Sequence, residues 1–435
     1  MTDDGTGTGL TPATVQDIRR QVDSLRDELV ELVQALVRVP SVTGSEGAVQ
    51  EVVAARMRGL GLETEVWEPR TADLLPYQDE VGAIESLDGR PNVVGTWRGQ
   101  GGQGRSLILN AHIDTVETGD PARWHHPPFA AEVAGGKIWG RGSCDMKGGL
   151  ATHLIALRAI RSLGLVPAAD VTVQSVVSEE DGGAGAAAAV LRGPRADAAI
   201  ITEPTRLAMI PAQGGSIVFR LHVEGKSAHA CVRDEGVSAI EAFQTIHRGL
   251  IAFEAHRNAT LDHPLYQSIA NKIPISIGTV RAGAWPSSVP EWLEAEGRAG
   301  MVPGESMGTF REQFVAEVAR IAAGDPWLRH HPPRVEWFGG QFAPAEVAPD
   351  SDIARAVIDA HAAVTGAKPP VEAATYGADM RHFLHLAGIP CVMYGAGDVR
   401  VAHFTDEHVS IDDLVTATKT IAVTVASWCG VAPAN

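Results

Sequence analysis

Residues 107–114 (LILNAHID) carry an apolar run directly into a histidine and an aspartate. The apolar run predicts a buried β-strand. At the end of such a strand, the imidazole of His112 can face a metal ion while the carboxylate of Asp114 orients the ring. The pair alone leaves a second interpretation open, in which His112 is a buried histidine whose hydrogen bond is satisfied by a carboxylate. The rest of the sequence has to decide between the two.

The segments around this strand alternate between strand and helix patterns. Strands are predicted at 64–67, 92–97, 106–111, 170–178 and 198–202, and helices at 46–60, 149–163 and 184–191. Apolar strands separated by helices are typical of a sheet that is covered on both faces. Before them, apolar residues recur every three or four positions from Val15 to Leu36 and predict one amphipathic helix. The glycine-rich residues 99–104 predict a hairpin turn, and the long connection 68–91 predicts a lobe near a site.

The pattern changes after Pro211. Strands are predicted at 213–225, 273–280, 292–300 and 334–337, with helices at 238–255 and 305–323. This order is typical of a ferredoxin-like α+β unit. The α/β pattern then returns, with helices at 352–365, 379–387 and 411–429 and a strand at 390–394. We therefore predict one α/β domain made of residues 14–211 and 341–435, interrupted by an inserted domain of residues 212–340, with residues 1–13 as a tail.

Composition narrows the function classes. The 435 residues include 36 Lys and Arg against 53 Asp and Glu, a net charge of −17, which argues against nucleic acid or an anionic membrane as a partner. No apolar run of about 18 residues could span a bilayer. The acidic, polar N-terminus does not read as a signal peptide. Four cysteines without a CxxC pair favour a reducing compartment. Together these features predict a cytoplasmic protein.

Further candidate residues follow other predicted strands. Asp145 lies in a glycine-flanked turn (GRGSCDMKGG, 140–149), which lacks the spacing of a phosphate loop. Glu179 and Glu180 lie in VVSEED (176–181), where adjacent carboxylates repel each other unless a cation or solvent is present. Glu203 lies at the end of an apolar strand in IITEP (200–204), and His403 lies in VAHFTDE (401–407). A solvated acidic turn remains the alternative for 176–181. In an α/β fold, however, these strand ends converge on one edge of the sheet.

The side chains at this edge suit a pair of metal ions. Two imidazoles and several carboxylates, with no cysteine pair nearby, are ligands for zinc, manganese or cobalt ions about 3.5–4 Å apart. Such a pair can deprotonate a shared water and polarise a carbonyl oxygen. The predicted chemistry is therefore hydrolytic.

The ordered set HID, GRGSCDMKGG, SEED, TEP, GKSAHA and AHFTDE resembles the M20 metallopeptidase family of two-zinc amidohydrolases. That family includes acetylornithine deacetylase, succinyl-diaminopimelate desuccinylase, aminoacylase-1 and glutamate carboxypeptidases. The resemblance extends over nearly the whole chain from about residue 25. It implies a zinc-peptidase-like catalytic domain, with a mixed central sheet flanked by helices, and an inserted ferredoxin-like lid that forms a dimer.

The resemblance also implies a role for each candidate residue. It implies five metal ligands: His112 and Glu203 on the first zinc ion, Glu180 and His403 on the second, and Asp145 bridging both. Glu179 is then the general base, which takes a proton from the bridging water so that hydroxide attacks the amide carbon. Asp114 orients His112. The peptide between Asp145 and Met146 is expected to be cis.

Residues of the inserted segment and two departures from the family pattern bear on specificity. His229 matches a histidine that reaches into the partner's site, although it would otherwise be taken for a surface residue. Arg298 matches an arginine that binds a substrate carboxylate, with a structural salt bridge as the alternative. Ser287 and Ser288 stand where many relatives have asparagine, and Phe404 stands where several have threonine. These changes predict a shorter or less acidic acyl group, although Phe404 can equally be a packing residue.

The predicted function is that of a di-zinc amidohydrolase resembling acetylornithine deacetylase, which acts on an N-acyl amino acid or a related small amide as a homodimer. Within the same family, the alternatives are a dipeptidase, a carboxypeptidase or a hydrolase of N-formyl or N-carbamoyl compounds. A non-catalytic metal-binding homologue is a further alternative, and the intact Glu179 argues against it.

Overall fold

The computed structural model describes residues 9–82, 84 and 86–434. The α-helices are α1 (Pro12–Ser24), α2 (Arg26–Val37), α3 (Gly47–Gly59), α4 (Thr71–Leu74), α5 (Gln78–Val81), α6 (Gly148–Ser162), α7 (Ala184–Arg192), α8 (Ala239–Thr260), α9 (Met307–Ala323), α10 (Asp352–Thr365), α11 (Met380–Ala387) and α12 (Ile411–Cys429). The strands are β1 (Glu63–Trp67), β2 (Asn92–Trp97), β3 (Leu107–His112), β4 (Glu132–Ala134), β5 (Lys137–Trp139), β6 (Leu165–Pro167), β7 (Val171–Val176), β8 (Ala198–Ile201), β9 (Met209–Gln213), β10 (Gly215–Glu224), β11 (Ile275–Ala282), β12 (Trp292–Met301), β13 (Arg334–Phe342), β14 (Ala345–Glu346), β15 (Val371–Ala374), β16 (Cys391–Met393), β17 (His408–Ser410) and β18 (Val431–Pro433). No described helix is both long enough and apolar enough to cross a membrane.

A nine-stranded mixed sheet forms the centre of the fold. Its strand order is β1-β2-β7-β3-β8-β16-β9-β14, with β15 paired to β9. The middle strands β7, β3, β8 and β16 run parallel to one another, whereas β1, β2 and β7 pair in antiparallel fashion. Every residue of β2, β3, β7 and β8 is buried, as expected for strands covered by helices on both faces. The predicted α/β class with a mixed central sheet flanked by helices is confirmed.

A second, antiparallel sheet is built from the middle of the chain. Its order is β11-β12-β10-β13, and it encloses a separate apolar core with α8 and α9, which includes Phe219, Phe310 and Phe314. The elements follow the predicted ferredoxin-like succession of strands and helices. The domain division at residues 212 and 340 stays a prediction.

The N-terminal helix differs from the prediction. Two helices replace the single predicted one, because Leu25 leaves helical geometry (φ −98°, ψ 9°) and its N–H bonds back to Val22. The apolar spacing continues across this break, since α1 and α2 both pack against α6 and α12. Helix α1 begins at Pro12, behind the N-cap Thr11, so the predicted tail is two residues too long. Residues 1–8 of that tail lie outside the described residues.

The predicted hairpin at 99–104 is wrong. Strand β7 lies between β2 and β3 and pairs with both, so the connection passes over a third strand. The glycines serve close approach instead. A Cβ on Gly99 would lie 2.4 Å from the carbonyl oxygen of Ala168, and one on Gly104 would lie 1.9 Å from that of Cys429. These glycines let the connection lie directly on the neighbouring backbone.

One buried histidine of α6 generates a prediction on acid stability. His153 is fully buried, and neither ring nitrogen has a hydrogen-bond partner within the described residues. Burial lowers its pKa from the ordinary 6.5 to about 3. The unfolded chain therefore binds a proton below pH 6.5 that the folded protein does not bind. The unfolding free energy is therefore independent of this group above pH 6.5, and it decreases as the pH falls from 6.5 toward 3.

We expect His153→Leu to reduce the acid sensitivity of folding. Between pH 6 and pH 5, the unfolding free energy of the variant should fall by about 1 kcal/mol less than that of the wild type. The reason is that the unfolded variant has no histidine at position 153 to take up a proton. Urea denaturation at the two pH values measures this difference. The exposed His330 provides the control variant His330→Leu, which should retain the wild-type slope. A wild-type slope in His153→Leu would contradict the prediction.

Candidate metal centre

The parallel strands bring the predicted ligands to one edge of the sheet. His112 is the last residue of β3, while Glu179 and Glu180 follow β7 and Glu203 follows β8. These strands are parallel neighbours in the order β7-β3-β8. Their carboxyl ends therefore meet, as in other α/β sheets whose sites lie beyond the strand ends. His403 joins them from the loop after β16, where its backbone is left-handed (φ 60°).

Two groups of potential metal ligands share one aspartate. The first is His112, Asp145 and Glu203, and the second is Asp145, Glu180 and His403; within each group the ligand atoms lie within 4.8 Å of one another. We call these five residues the metal-ligand cluster. Asp145 Oδ1 lies 3.0 Å from His112 Nε2, and Asp145 Oδ2 lies 3.5 Å from His403 Nε2. Each oxygen of the central carboxylate therefore faces a different histidine.

Asp145 is held by its backbone. Glu407 Oε1 accepts hydrogen bonds from the amides of Cys144 (3.0 Å) and Asp145 (3.1 Å), and Glu407 Oε2 pairs with Arg141 Nη1 at 2.6 Å. Arg141 and Glu407 are both buried. The Asp145–Met146 peptide is cis, as the resemblance implies. A buried ion pair thus fixes the turn that carries the central carboxylate.

Asp114 acts differently from the sequence prediction. The ring nitrogen Nδ1 of His112 lies 3.0 Å from the backbone carbonyl of Asp114 but 3.6 Å from its carboxylate. The carboxylate instead accepts hydrogen bonds from the amides of Glu179 (3.1 Å) and Glu180 (3.0 Å). The carbonyl therefore orients the imidazole with Nε2 toward Asp145, while the carboxylate fixes the acidic turn after β7.

The electrostatics of the cluster favour cations. Burial raises the pKa of Glu203 well above its ordinary value. Burial also acts to raise the pKa of Asp145, but hydrogen bonds from His112 and His403 outweigh it and lower that pKa. For His403 burial lowers the pKa, and hydrogen bonds to Asp145 and Glu180 reverse the effect and raise it to about 11. Carboxylates crowded in this way attract positive charge, and mixed His and carboxylate donors suit zinc and similar divalent ions.

Glu179 stands apart from both ligand groups. The residue is 7% exposed, and its carboxylate has no hydrogen-bond partner in the part of the chain that the structure describes. Burial raises its pKa well above the ordinary value. A carboxyl group with a raised pKa beside a metal-ligand cluster is suited to taking up and returning a proton.

The remaining predicted residues do not contact the cluster. His229 is exposed and forms a β-bridge with Ser288, and among the described residues it makes no hydrogen bond or ion pair with the cluster. Arg298 donates to the carbonyl of Thr375 at 3.3 Å. It forms no salt bridge within the described ranges, so the salt-bridge alternative is wrong there. Phe404 is 68% exposed and is therefore not a core packing residue.

Several positioning residues escaped the sequence analysis. Arg141 and Glu407 lie inside the quoted motifs GRGSCDMKGG and AHFTDE, and their position there was the available signal. Lys147, in the first of these motifs, is fully buried and donates to the carbonyls of Leu36 and Val39. Burial lowers its pKa to about 7. Charged residues in such motifs can therefore serve the architecture of a site without being ligands.

Comparison with known proteins gives a consistent result. Residues 108–427 match the model of peptidase family M20/M25/M40. The chain is 30% identical over 439 residues to an N-formyl-4-amino-5-aminomethyl-2-methylpyrimidine deformylase of Halalkalibacterium halodurans, covering 96% of this chain and 98% of that protein. The fold of this chain is similar to that of the yeast dipeptidase Dug1p (Saccharomyces cerevisiae), with a TM-score of 0.77 and 14% sequence identity. The match covers 95% of this chain and 98% of the yeast chain. The fold is also similar to that of the Bacillus subtilis YXEP protein, described as a dinuclear metal-binding peptidase, with a TM-score of 0.60 and 18% sequence identity. That match covers 93% of this chain and 99% of the YXEP chain.

The ion pair behind Asp145 generates a stability prediction. We expect Arg141→Met to lower the unfolding free energy by about 3–5 kcal/mol, because it leaves the carboxylate of Glu407 buried without its partner. Urea denaturation in the presence of a chelator measures this loss apart from any effect of bound metal. The control is Arg98→Met, because Arg98 forms exposed ion pairs with Glu63 and Asp170, and exposed pairs contribute about 0–1 kcal/mol. Equal losses in the two variants would contradict the prediction.

Proposed function

The chain belongs to peptidase family M20/M25/M40, and from this membership we propose that it removes an N-formyl group, or a similarly short acyl group, from a small amine in a metal-dependent reaction. The family assignment supports a hydrolase that acts on C–N bonds, since the relatives compared above include a deformylase and peptidases. The acyl group, the amine and the individual residue roles belong to the proposal.

The observation that carries the proposal is the arrangement around Asp145. Its two oxygens face different histidines, as a carboxylate that bridges two ions would. We propose that His112 and Glu203 complete one site and that Glu180 and His403 complete the other. Zinc is the favoured ion, with cobalt or manganese as alternatives, because the donors are imidazoles and carboxylates without thiolates.

The chain's own groups supply the proton transfers in this proposal. When bound, two divalent ions lower the pKa of water and polarise a carbonyl oxygen. Glu179 is proposed to accept the proton of the attacking water and to deliver it to the nitrogen of the departing amine. Its carboxylate is free of other hydrogen bonds among the described residues, so it is available for both steps. Asp114 holds Glu179 in place through the backbone amide.

The proposed substrate departs from the first expectation of an acetylornithine deacetylase. A relative that is 30% identical over nearly the full length is a deformylase, which supports the N-formyl alternative. The departures at Ser287, Ser288 and Phe404 also favour a shorter or less acidic acyl group. The exposed ring of Phe404 follows the proposed ligand His403 directly, and an aromatic ring at that place offers a stacking surface for a planar amine.

Two further roles are proposed for the inserted segment. Arg298 is half-buried without a carboxylate partner among the described residues, which leaves its guanidinium available for an acidic or hydrogen-bond-accepting part of the substrate. His229 is exposed and is not engaged with the cluster of its own chain. We propose that it completes the site of a second copy in a homodimer.

A substrate panel tests the proposal. We expect the zinc-loaded protein to hydrolyse the N-formyl derivative of an aminomethylpyrimidine with a kcat/KM at least about tenfold above those of its N-acetyl and N-carbamoyl derivatives, of N-acetylornithine and of dipeptides. A single methyl group in a fitted pocket accounts for a preference of that order.

The matched variant is Glu179→Gln. It should lower kcat by about 10²–10⁴, the usual contribution of a general acid or base, while two metal ions remain bound because Glu179 is not a proposed ligand. Metal content measured on the same samples checks the second part. Undiminished turnover in Glu179→Gln, or hydrolysis confined to dipeptides, would contradict the proposal.

A further inference from the structure

A buried arginine stands behind the acidic turn that follows β7. Arg381 is fully buried on α11. Its guanidinium donates to three backbone carbonyls: Gly182 at 2.8 Å, Glu80 at 3.2 Å, and Ala378. It also lies 4.3 Å from the ring centre of Phe342 on β13. No carboxylate forms a salt bridge with it in the described part of the chain, so the cation is held by carbonyls and one aromatic ring.

The turn packs directly against this arginine. Residues 178–183 form a hydrogen-bonded turn. The N–H of Gly182 donates to the carbonyl of Glu179 at 3.1 Å, and the N–H of Gly183 donates to the carbonyl of Ser178 at 2.6 Å. Gly183 has a positive φ of 75°, and a Cβ there would lie 2.7 Å from Arg381 Nη2 and 2.6 Å from Asp379 Oδ1. The turn therefore has no free space on the side of Arg381.

A second segment meets the turn from the other side. Residues 78–82 lie in the middle of the long connection 68–91, which the sequence predicts to be a lobe near a site. A Cβ on Gly182 would lie 2.2 Å from the carbonyl oxygen of Val81, and a Cβ on Gly82 would lie 2.3 Å from that of Gly339 on β13. Asp79 pairs with Arg311 of α9 at 2.7 Å. Segment 78–82 therefore touches the acidic turn and the second sheet at once.

Arg381 binds every part of this junction. One guanidinium joins the acidic turn (Gly182), segment 78–82 (Glu80) and its own turn (Ala378), and it covers the ring of Phe342 where β13 leaves the second sheet. Burying a charge without a carboxylate partner is costly, and an apolar side chain would fill the space at less cost. A planar guanidinium with five N–H donors, however, can reach three carbonyls that lie in different directions.

We propose that Arg381 is a positioning residue: it fixes the turn that carries Glu179 and Glu180 against segment 78–82, and it thereby sets the place of both carboxylates. This inference rests on the function proposed above. A displacement of about 1 Å at reacting groups can reduce the rate about 100-fold, and the loss of a group that orients a metal ligand typically reduces metal affinity 10–100-fold. Arg381 should therefore affect both turnover and metal binding without touching substrate or metal.

The test compares Arg381→Gln and Arg381→Lys with the same substitutions at Arg257. Arg257 is also buried, donates to the carbonyl of Gly300 at 2.9 Å and lies 4.5 Å from the ring centre of Phe310. Unlike Arg381, it pairs with a carboxylate, that of Glu305 at 2.6 Å, and it belongs to the core of the second sheet. Urea denaturation establishes that each variant folds. The kcat and KM for the best amide of the wild type, and zinc affinity by chelator competition, are then measured on the full-length protein.

We expect Arg381→Gln to lower kcat about 100-fold with KM within about threefold of wild type, and to weaken binding of one zinc ion about tenfold through Glu180. The kcat and zinc affinity of Arg381→Lys should lie between those of Arg381→Gln and the wild type, because lysine keeps the positive charge but lacks the planar guanidinium group. Both Arg257 variants should keep wild-type kcat and zinc affinity.

The proposal is overturned if the Arg381 variants leave kcat and zinc affinity unchanged, or if the Arg257 variants lose both to the same extent. It is also overturned if neither Arg381 variant folds while both Arg257 variants do, since the arginine would then be required for folding alone. If the wild type binds two zinc ions but hydrolyses no amide, the function proposed above fails, and the zinc titrations alone decide the role of Arg381.

Discussion

The repulsion among carboxylates at one edge of a buried sheet is the constraint on which the rest of the structure depends. Asp145, Glu180 and Glu203 lie together with Glu179; Glu179 and Glu203 are buried, and Asp145 and Glu180 are half-buried. Burial raises the pKa of Glu180 and Glu203, so ionisation of the group requires compensating positive charge. The two histidines compensate part of it, and a pair of divalent ions would compensate the remainder. A fold that gathers these side chains has a cost in stability that metal binding would offset.

The surrounding residues act mainly on the backbone, and this accounts for how the cluster keeps its geometry. Asp114 and Glu407 each accept two amide hydrogen bonds from the turns that carry the acidic residues, while Arg381 binds a carbonyl of one of those turns. Parallel strands deliver the turns to the same edge. Groups that hold a turn by its backbone leave the side chains free for a cation or a proton. The proposed ligands and the proposed general base are therefore held by the same scaffold, although their proposed chemical roles differ.

The sequence predicts best where chemistry and local pattern coincide. The buried strands end where the candidate ligands begin, so both could be placed from residues such as His112 and Glu203. Pairing partners far along the chain carry no local signal, and this is why the insertion of β7 between β2 and β3 was missed.

The burial of Arg381 has no local signal for the same reason. A lone arginine in a helix pattern is usually exposed, whereas Arg381 is buried where Glu80 and Gly182, 301 and 199 positions away in the sequence, approach it. The sequence analysis assigns the orientation of His112 to the carboxylate of Asp114, whereas the carbonyl lies closer to the ring, because sequence cannot tell whether a carboxylate or a carbonyl meets a ring nitrogen.

The most direct test of the central claim is a crystal structure of the protein prepared with zinc, with anomalous diffraction recorded at the zinc absorption edge. We expect two strong peaks about 3.5–4 Å apart, one near Asp145 Oδ1, His112 and Glu203 and the other near Asp145 Oδ2, Glu180 and His403. A single peak, or ions bound elsewhere with Asp145 left without a ligand role, would contradict this expectation.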